Sequence, residues 1–148
     1  MEWIDEIIVG LLDTYGTNDV YELCNYLNIE IRNVSPNHTL LDGCKSYYYR
    51  YFTGKEIIFI SNDIEVPFRE FFIKHELGHA LCNAELSCSN FPLSNRDKLE
   101  KQANYFAIKL SDIKIDEVYL KEMTLEQIAM CLELPYEPLR QLEEVVFM

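Results

Sequence analysis

A chain of 148 residues, 49% apolar and 26% charged, has the size and composition of one compact domain able to bury a core. Its formal net charge of −12 argues against nucleic acid as a direct partner, because binding a phosphate backbone needs clustered Lys and Arg that this sequence lacks. Such a surface serves solubility, or encounter with a basic polypeptide.

The chain opens on MEWIDEIIVGLLDTYG, with Glu2, Asp5 and Glu6 where a secretory leader carries positive charge. No stretch approaches the roughly 18–20 apolar residues that span a bilayer. Five cysteines, Cys24, Cys44, Cys82, Cys88 and Cys131, form no CxxC pair and read as reduced thiols. A soluble, cytoplasmic monomer is expected. Trp3, Ile7, Ile8, Leu11 and Leu12 recur at helical spacing through Tyr15, and Gly16 is a natural stop. A second helix starts from a cap at Thr17 or Asn18 and runs through Val20, Leu23, Cys24 and Leu27, after which Ile29 and Ile31 alternate with Glu30 and Arg32 as a strand. Val34 to Gly43 reads as a loop, and Tyr47 to Phe52 with Glu56 to Ile60 as a β-hairpin turning at Thr53-Gly54-Lys55.

Asn62 or Asp63 is placed to cap a helix with Pro67 in its first turn and a regular run from Phe68 to Cys82. A polar loop over 83–95 leads to a further helix from about Arg96 to Leu110, with Leu99, Ala103, Phe106, Ala107 and Leu110 on one side. In the tail, Thr124 to Gln127 has the form of a capping box, and a last helix runs through Leu139 and Leu142. The expected organisation is a single α+β domain over 1–148, with a catalytic core over 1–112 and a helical C-terminal subunit over 113–148.

Residues 75–79 read His-Glu-Leu-Gly-His. On a helix, histidines at i and i+4 lie one turn apart on one face, so both imidazoles reach one ion. Glu76 is set about 100° round from His75, where it can touch a water on such an ion without taking a coordination position, the place of a general base. A lone histidine is more often a partly buried helix residue, but that reading leaves unexplained why two of only three histidines fall at ligand spacing around an acid. A catalytic zinc takes three protein ligands and keeps one position open, so one more is required. Glu100 supplies it, and Asn104, one turn on, can accept the outer N–H of a ligating imidazole. Without the upstream motif, Glu100 would read as a solvated charge paired with Lys101 or Lys109. His38 lies in a loop, and Cys82 and Cys88 lie off the histidine face or beyond the helix.

The segments HELGHA at 75–80 and KLEKQANYFAIKL at 98–110 resemble the ImmA/IrrE family of metallopeptidases, and YGTNDVYELCNYLNIEI at 15–31 is similar to the N-terminal segment of its ImmA-type members from mobile elements. The resemblance implies a zincin-like, gluzincin-type core with a small antiparallel sheet. It also implies one zinc ion on His75, His79 and Glu100, Glu76 as base, and a helix-turn-helix repressor of a phage or integrative element as substrate. The sequence departs from the family pattern at Ser111-Asp112, where a Leu-Met-Pro run is usual, and at Asn83, where a histidine often closes the helix. A tyrosine is a fair oxyanion donor, and Tyr47, Tyr48, Tyr49, Tyr51 and Tyr105 are all within sequence reach, although alternating tyrosines in a hairpin more often pack on neighbouring strands. An extended peptide can add to the hairpin as an extra strand. The tail carries Glu126, Glu133, Glu137, Glu143 and Glu144 against Arg140 alone, so it suits packing on the core or gripping a protein better than DNA. The rival function is a non-catalytic antirepressor that sequesters its partner.

Overall fold

A computed structural model describes residues 1–83, 96–112 and 122–146. Helix α1, Glu2–Tyr15, buries Ile4, Ile8 and Leu11 at the i, i+4, i+7 spacing of one apolar stripe, while Trp3 and Leu12 stay exposed. Gly16 ends it with φ 67°, a left-handed cap that returns its N–H to the Leu12 carbonyl. Helix α2, Val20–Tyr26, is capped by Asp19 rather than by Thr17 or Asn18. The Asp19 carboxylate accepts from the N–H groups of Tyr21 and Glu22 at 2.8 and 3.1 Å, satisfying two orphan donors with a charge that the helix dipole favours.

Three strands follow: β1 Ile29–Val34, β2 Ser46–Arg50 and β3 Glu56–Ser61, in spatial order β1-β3-β2. β2 and β3 form the expected antiparallel hairpin, with Ser46 opposite Ile60. β1 pairs parallel to β3, so the sheet is mixed and not the small antiparallel sheet expected. Period-2 alternation marks a strand without naming its neighbour, and the Ile57–Ile60 run, buried on both faces, marks β3 as central. One face of the sheet, with Ile29, Tyr48, Ile58 and Ile60, joins the main core under the helices. The other face, with Ile57 and Phe59, is covered by Leu41 from a 3₁₀ turn at Thr39–Leu41, inside the segment expected as plain loop. Val34 closes β1, and His38 caps the turn and stacks on Phe59.

Helix α3, Val66–Cys82, starts from Glu65 with no side-chain cap bond. Asn62 and Asp63 lie too far upstream to cap it, and Asp63 instead accepts from Ser61 and Lys45. Every residue from Ile73 to Ala80 is buried, because α3 packs between the sheet and α4, Arg96–Leu110. Leu99, Ala103, Phe106, Ala107 and Leu110 are all buried as the spacing predicts. Gly78 allows the close approach of the two helices: a Cβ there would stand 3.1 Å from Phe106 Cδ1 and 3.2 Å from Ala103 Cα. The Tyr105 hydroxyl donates to Asp5 at 2.8 Å and ties α4 to α1.

The tail forms α5 Leu125–Cys131, with the complete Thr124–Gln127 capping box, then α6 Tyr136–Gln141 and α7 Glu143–Val146. Ile128, Ala129, Leu134, Leu139 and Leu142 enter the main core, and α6 lies against α4. Most of the loop expected over 83–95, with Cys88, and the 113–121 start of the expected C-terminal subunit lie outside the described residues. Among the described residues, no helix is long and apolar enough to cross a membrane.

Candidate metal centre

The buried helix α3 carries His75 and His79 on the face turned to α4, and α4 returns Glu100 to meet them. His75 Nε2 lies 3.1 Å from Glu100 Oε2, His79 Nε2 lies 3.0 Å from Glu100 Oε1, and the two Nε2 atoms are 3.1 Å apart. Both rings are buried, whereas the Glu100 side chain is 45% exposed, so the cluster opens to solvent on the carboxylate side. There Asp97, Glu100, Lys101 and Gln141 line a cavity of about 280 Å³. A larger cavity of about 610 Å³, lined by Cys24, Asn28 and Lys55 among others, sits at the opposite end of the hairpin and includes none of the triad.

Asn104, one turn beyond Glu100, places Oδ1 2.6 Å from His75 Nδ1. An amide oxygen only accepts, so Nδ1 carries the hydrogen, and the neutral ring turns a bare Nε2 lone pair toward a carboxylate. Lone pair and carboxylate repel at that distance unless a proton or a cation lies between them. A tetrahedral zinc ion with bonds of about 2.0–2.1 Å holds its ligand atoms about 3.3 Å apart, close to the spacing here. The residues therefore fit a small divalent ion, and two imidazoles with one carboxylate are a donor set suited to zinc. Asn104 Nδ2 in turn donates to Gln141 Oε1 of α6 at 3.4 Å, linking the C-terminal helices to the site.

Charge is unevenly shared across the triad. For His75, burial is the largest influence and pushes the imidazole down, but the bond to Glu100, the charges of Glu76 and Glu100 and the bond to Asn104 together raise it above its ordinary 6.5. For Glu100, burial is again the largest single influence and pushes up, yet the bonds and charges of the two histidines hold its carboxyl far below the usual range. Positive charge is thus favoured between these side chains.

Glu76 is buried beside the triad, and one of its neighbours has no counterpart in the sequence reading: Ser46 Oγ donates to Glu76 Oε1 at 2.8 Å. A single serine opening a tyrosine-rich strand carries no motif. The alternation that puts Ser46 on the same face as Tyr48 was its only signal. The tyrosines are dispersed. Tyr48 bonds Glu56, Tyr105 bonds Asp5, Tyr47 and Tyr49 pack with Leu41, Ile57 and Phe59 on the far face of the sheet, and Tyr51 sits edge-on to Tyr49. Cys44, two residues before Ser46, is exposed, and its thiol is pushed up chiefly by burial, with Arg96 pulling down and Glu100 and Glu76 pushing up.

Comparison with known proteins identifies the family of the chain. The profile of the IrrE N-terminal-like domain, a peptidase family, matches residues 24–145. The chain is 30% identical over 142 residues to the uncharacterized immunity region protein 2 of Bacillus phage phi105, covering 90% of this chain and 85% of that protein. It is 31% identical over 139 residues to metallopeptidase ImmA of Bacillus subtilis (strain 168), covering 86% of this chain and 76% of that protein. No solved structure matches the chain.

Proposed function

The chain belongs to the family of the IrrE N-terminal-like domain, and from that premise we propose that it is a zinc-dependent endopeptidase that cleaves and inactivates a helix-turn-helix repressor of a phage or integrative element. The observation that carries the reading is the convergence of His75, His79 and Glu100 at 3.0–3.1 Å, with Glu76 one residue from the first of them. A family relationship to a metallopeptidase and a likeness to a phage immunity region protein support it. The net charge of −12 suits a partner whose own surface is built to meet DNA. The fold is read as zincin-like, of the gluzincin type, and the place of action as the cytoplasm, where such repressors work.

His75, His79 and Glu100 would hold the ion. A zinc ion there would supply Lewis-acid polarisation of the scissile carbonyl and lower the pKa of a water toward neutrality. Glu76 would take a proton from the attacking water and pass it to the leaving amine. Asn104 keeps His75 in the tautomer whose Nε2 can ligate. Among the described residues, β2 pairs with β3 along one edge and is one of the two outer strands of the sheet, so an extended substrate segment would add along its other edge, beside α3.

Two consequences concern the metal alone. Asn104→Ala lowers zinc affinity roughly 10–100-fold, read by competition with a chromophoric chelator, because His75 loses the acceptor that fixes its ring. Zinc affinity also falls with pH. Protons compete with zinc for His75, whose pKa in the metal-free protein lies above 6.5, so as the pH falls the loss begins above that value and steepens to at least about tenfold per pH unit. The low-lying Glu100 stays ionised throughout this range and adds nothing to the slope. An affinity flat between pH 8 and pH 5 would contradict the ligand assignment.

The direct test incubates the zinc-loaded chain with a helix-turn-helix repressor from the same phage or integrative element and follows the products by mass spectrometry. One discrete cut, abolished by chelation and restored by zinc, is the expected result. Repressor inactivation without any cut would overturn the peptidase reading.

A further inference from the structure

The geometry points to Ser46 as a positioning residue for the general base: its hydroxyl fixes one carboxylate oxygen of Glu76 so that the other is turned to the ion and the scissile bond. This inference rests on the peptidase reading above and assigns it one more residue.

Ser46 is the first residue of β2 and is 7% exposed, and Glu76 is 5% exposed. Their 2.8 Å bond crosses from the sheet to α3 over 30 residues of sequence. Both ends are anchored. Ser46 is in register with Ile60 of the central strand, and the Ser61 N–H donates to the Lys45 carbonyl at 2.9 Å. Glu76 stands in the part of α3 where every residue from Ile73 to Ala80 is buried.

A base of this kind needs such a constraint. The last torsion of a glutamate is broad and two-fold, so packing of its methylenes does not settle which way the carboxylate plane faces. A donor on Oε1 settles it, and holds the reacting oxygen within the few tenths of an ångström that proton transfer requires. Serine suits the task because its hydroxyl has a single proton to give and is short enough to act from a strand abutting the helix. The same strand carries the edge along which the substrate would add, so a docked substrate braces the element that orients the base.

The test compares wild type, Ser46→Ala and Ser46→Thr as full-length, zinc-loaded protein, with steady-state cleavage of the same repressor. Ser46→Ala lowers kcat roughly 10–100-fold, with KM and zinc affinity within about twofold of wild type. Ser46→Thr, which keeps the donor on a residue favoured in strands, recovers most of kcat. Thermal unfolding and chelator competition establish that the alanine variant is folded and loaded. An unchanged kcat in that folded variant would overturn the inference, as would a loss confined to KM or to zinc affinity. Full activity in Glu76→Gln is a separate result, removing the base itself and with it the reading on which Ser46 depends.

Discussion

Replacing Glu76 with Gln leaves zinc binding intact and lowers peptide hydrolysis roughly 10²–10⁴-fold. The substitution changes almost nothing but the proton chemistry. Glutamine has the length of glutamate, and its amide oxygen can accept the bond that Ser46 donates to Oε1, so the buried side chain keeps its partner. The amide has no oxygen able to take and release a proton near neutral pH. His75, His79 and Glu100 make their 3.0–3.1 Å approach independently of Glu76, so the ion stays. Zinc content and repressor affinity measured beside the cleavage rate separate this from the rival function. A chain that works by sequestering its partner would keep its effect on the repressor in Glu76→Gln, and that outcome would contradict a catalytic role.

Gly78→Leu is expected to be the most damaging change at any position that touches neither ion nor substrate. Its first new atom alone would lie 3.1 Å from Phe106 Cδ1 and 3.2 Å from Ala103 Cα. The second of these is backbone, so relief requires α3 and α4 to move apart. Overpacking of this kind costs on the order of 3 kcal/mol, or roughly 6–12 °C in Tm for a chain of this size. Because the two histidines ride on α3 and Glu100 on α4, the same displacement opens the triad, and zinc affinity falls at least about tenfold. Gly10, in α1, provides the control: an added Cβ there meets nothing within 4 Å, and Gly10→Ala gains about 0.5–1 kcal/mol from helix propensity. A folded Gly78→Leu variant with unchanged zinc affinity would show that the α3–α4 spacing does not set the site.

The chemical half of this site is legible in the sequence because helical spacing is rigid. Residues four apart on a helix must share a face, so His75 with His79, and Glu100 with Asn104, could be paired before any coordinates. That the two helices face one another rests on the buried stripe from Leu99 to Leu110, which the same period reveals. The sheet is less legible. Alternation at Ile29 and Ile31 marks β1 as a strand but is the same in parallel and antiparallel pairing, so the order β1-β3-β2 emerges only in three dimensions. Tyrosine hides which face of β2 is the core, being at home on either, and Tyr48 turns inward with Ile58 and Ile60 while Tyr47 and Tyr49 turn out. Ser46 was invisible for a related reason. Its meaning lies in a contact between a strand and a helix 30 residues away, and no local period encodes it.

The proposed activity requires one metal ion held by His75, His79 and Glu100, and X-ray absorption of the zinc-loaded protein, with metal content per chain, tests this most directly. The predicted result is one zinc per chain, with two imidazoles and a carboxylate oxygen in its shell, lost when either His79 or Glu100 is replaced by Ala. A sulfur at about 2.3 Å would place the ion on a cysteine instead. That finding, or tight zinc binding that survives both substitutions, would contradict the site described here.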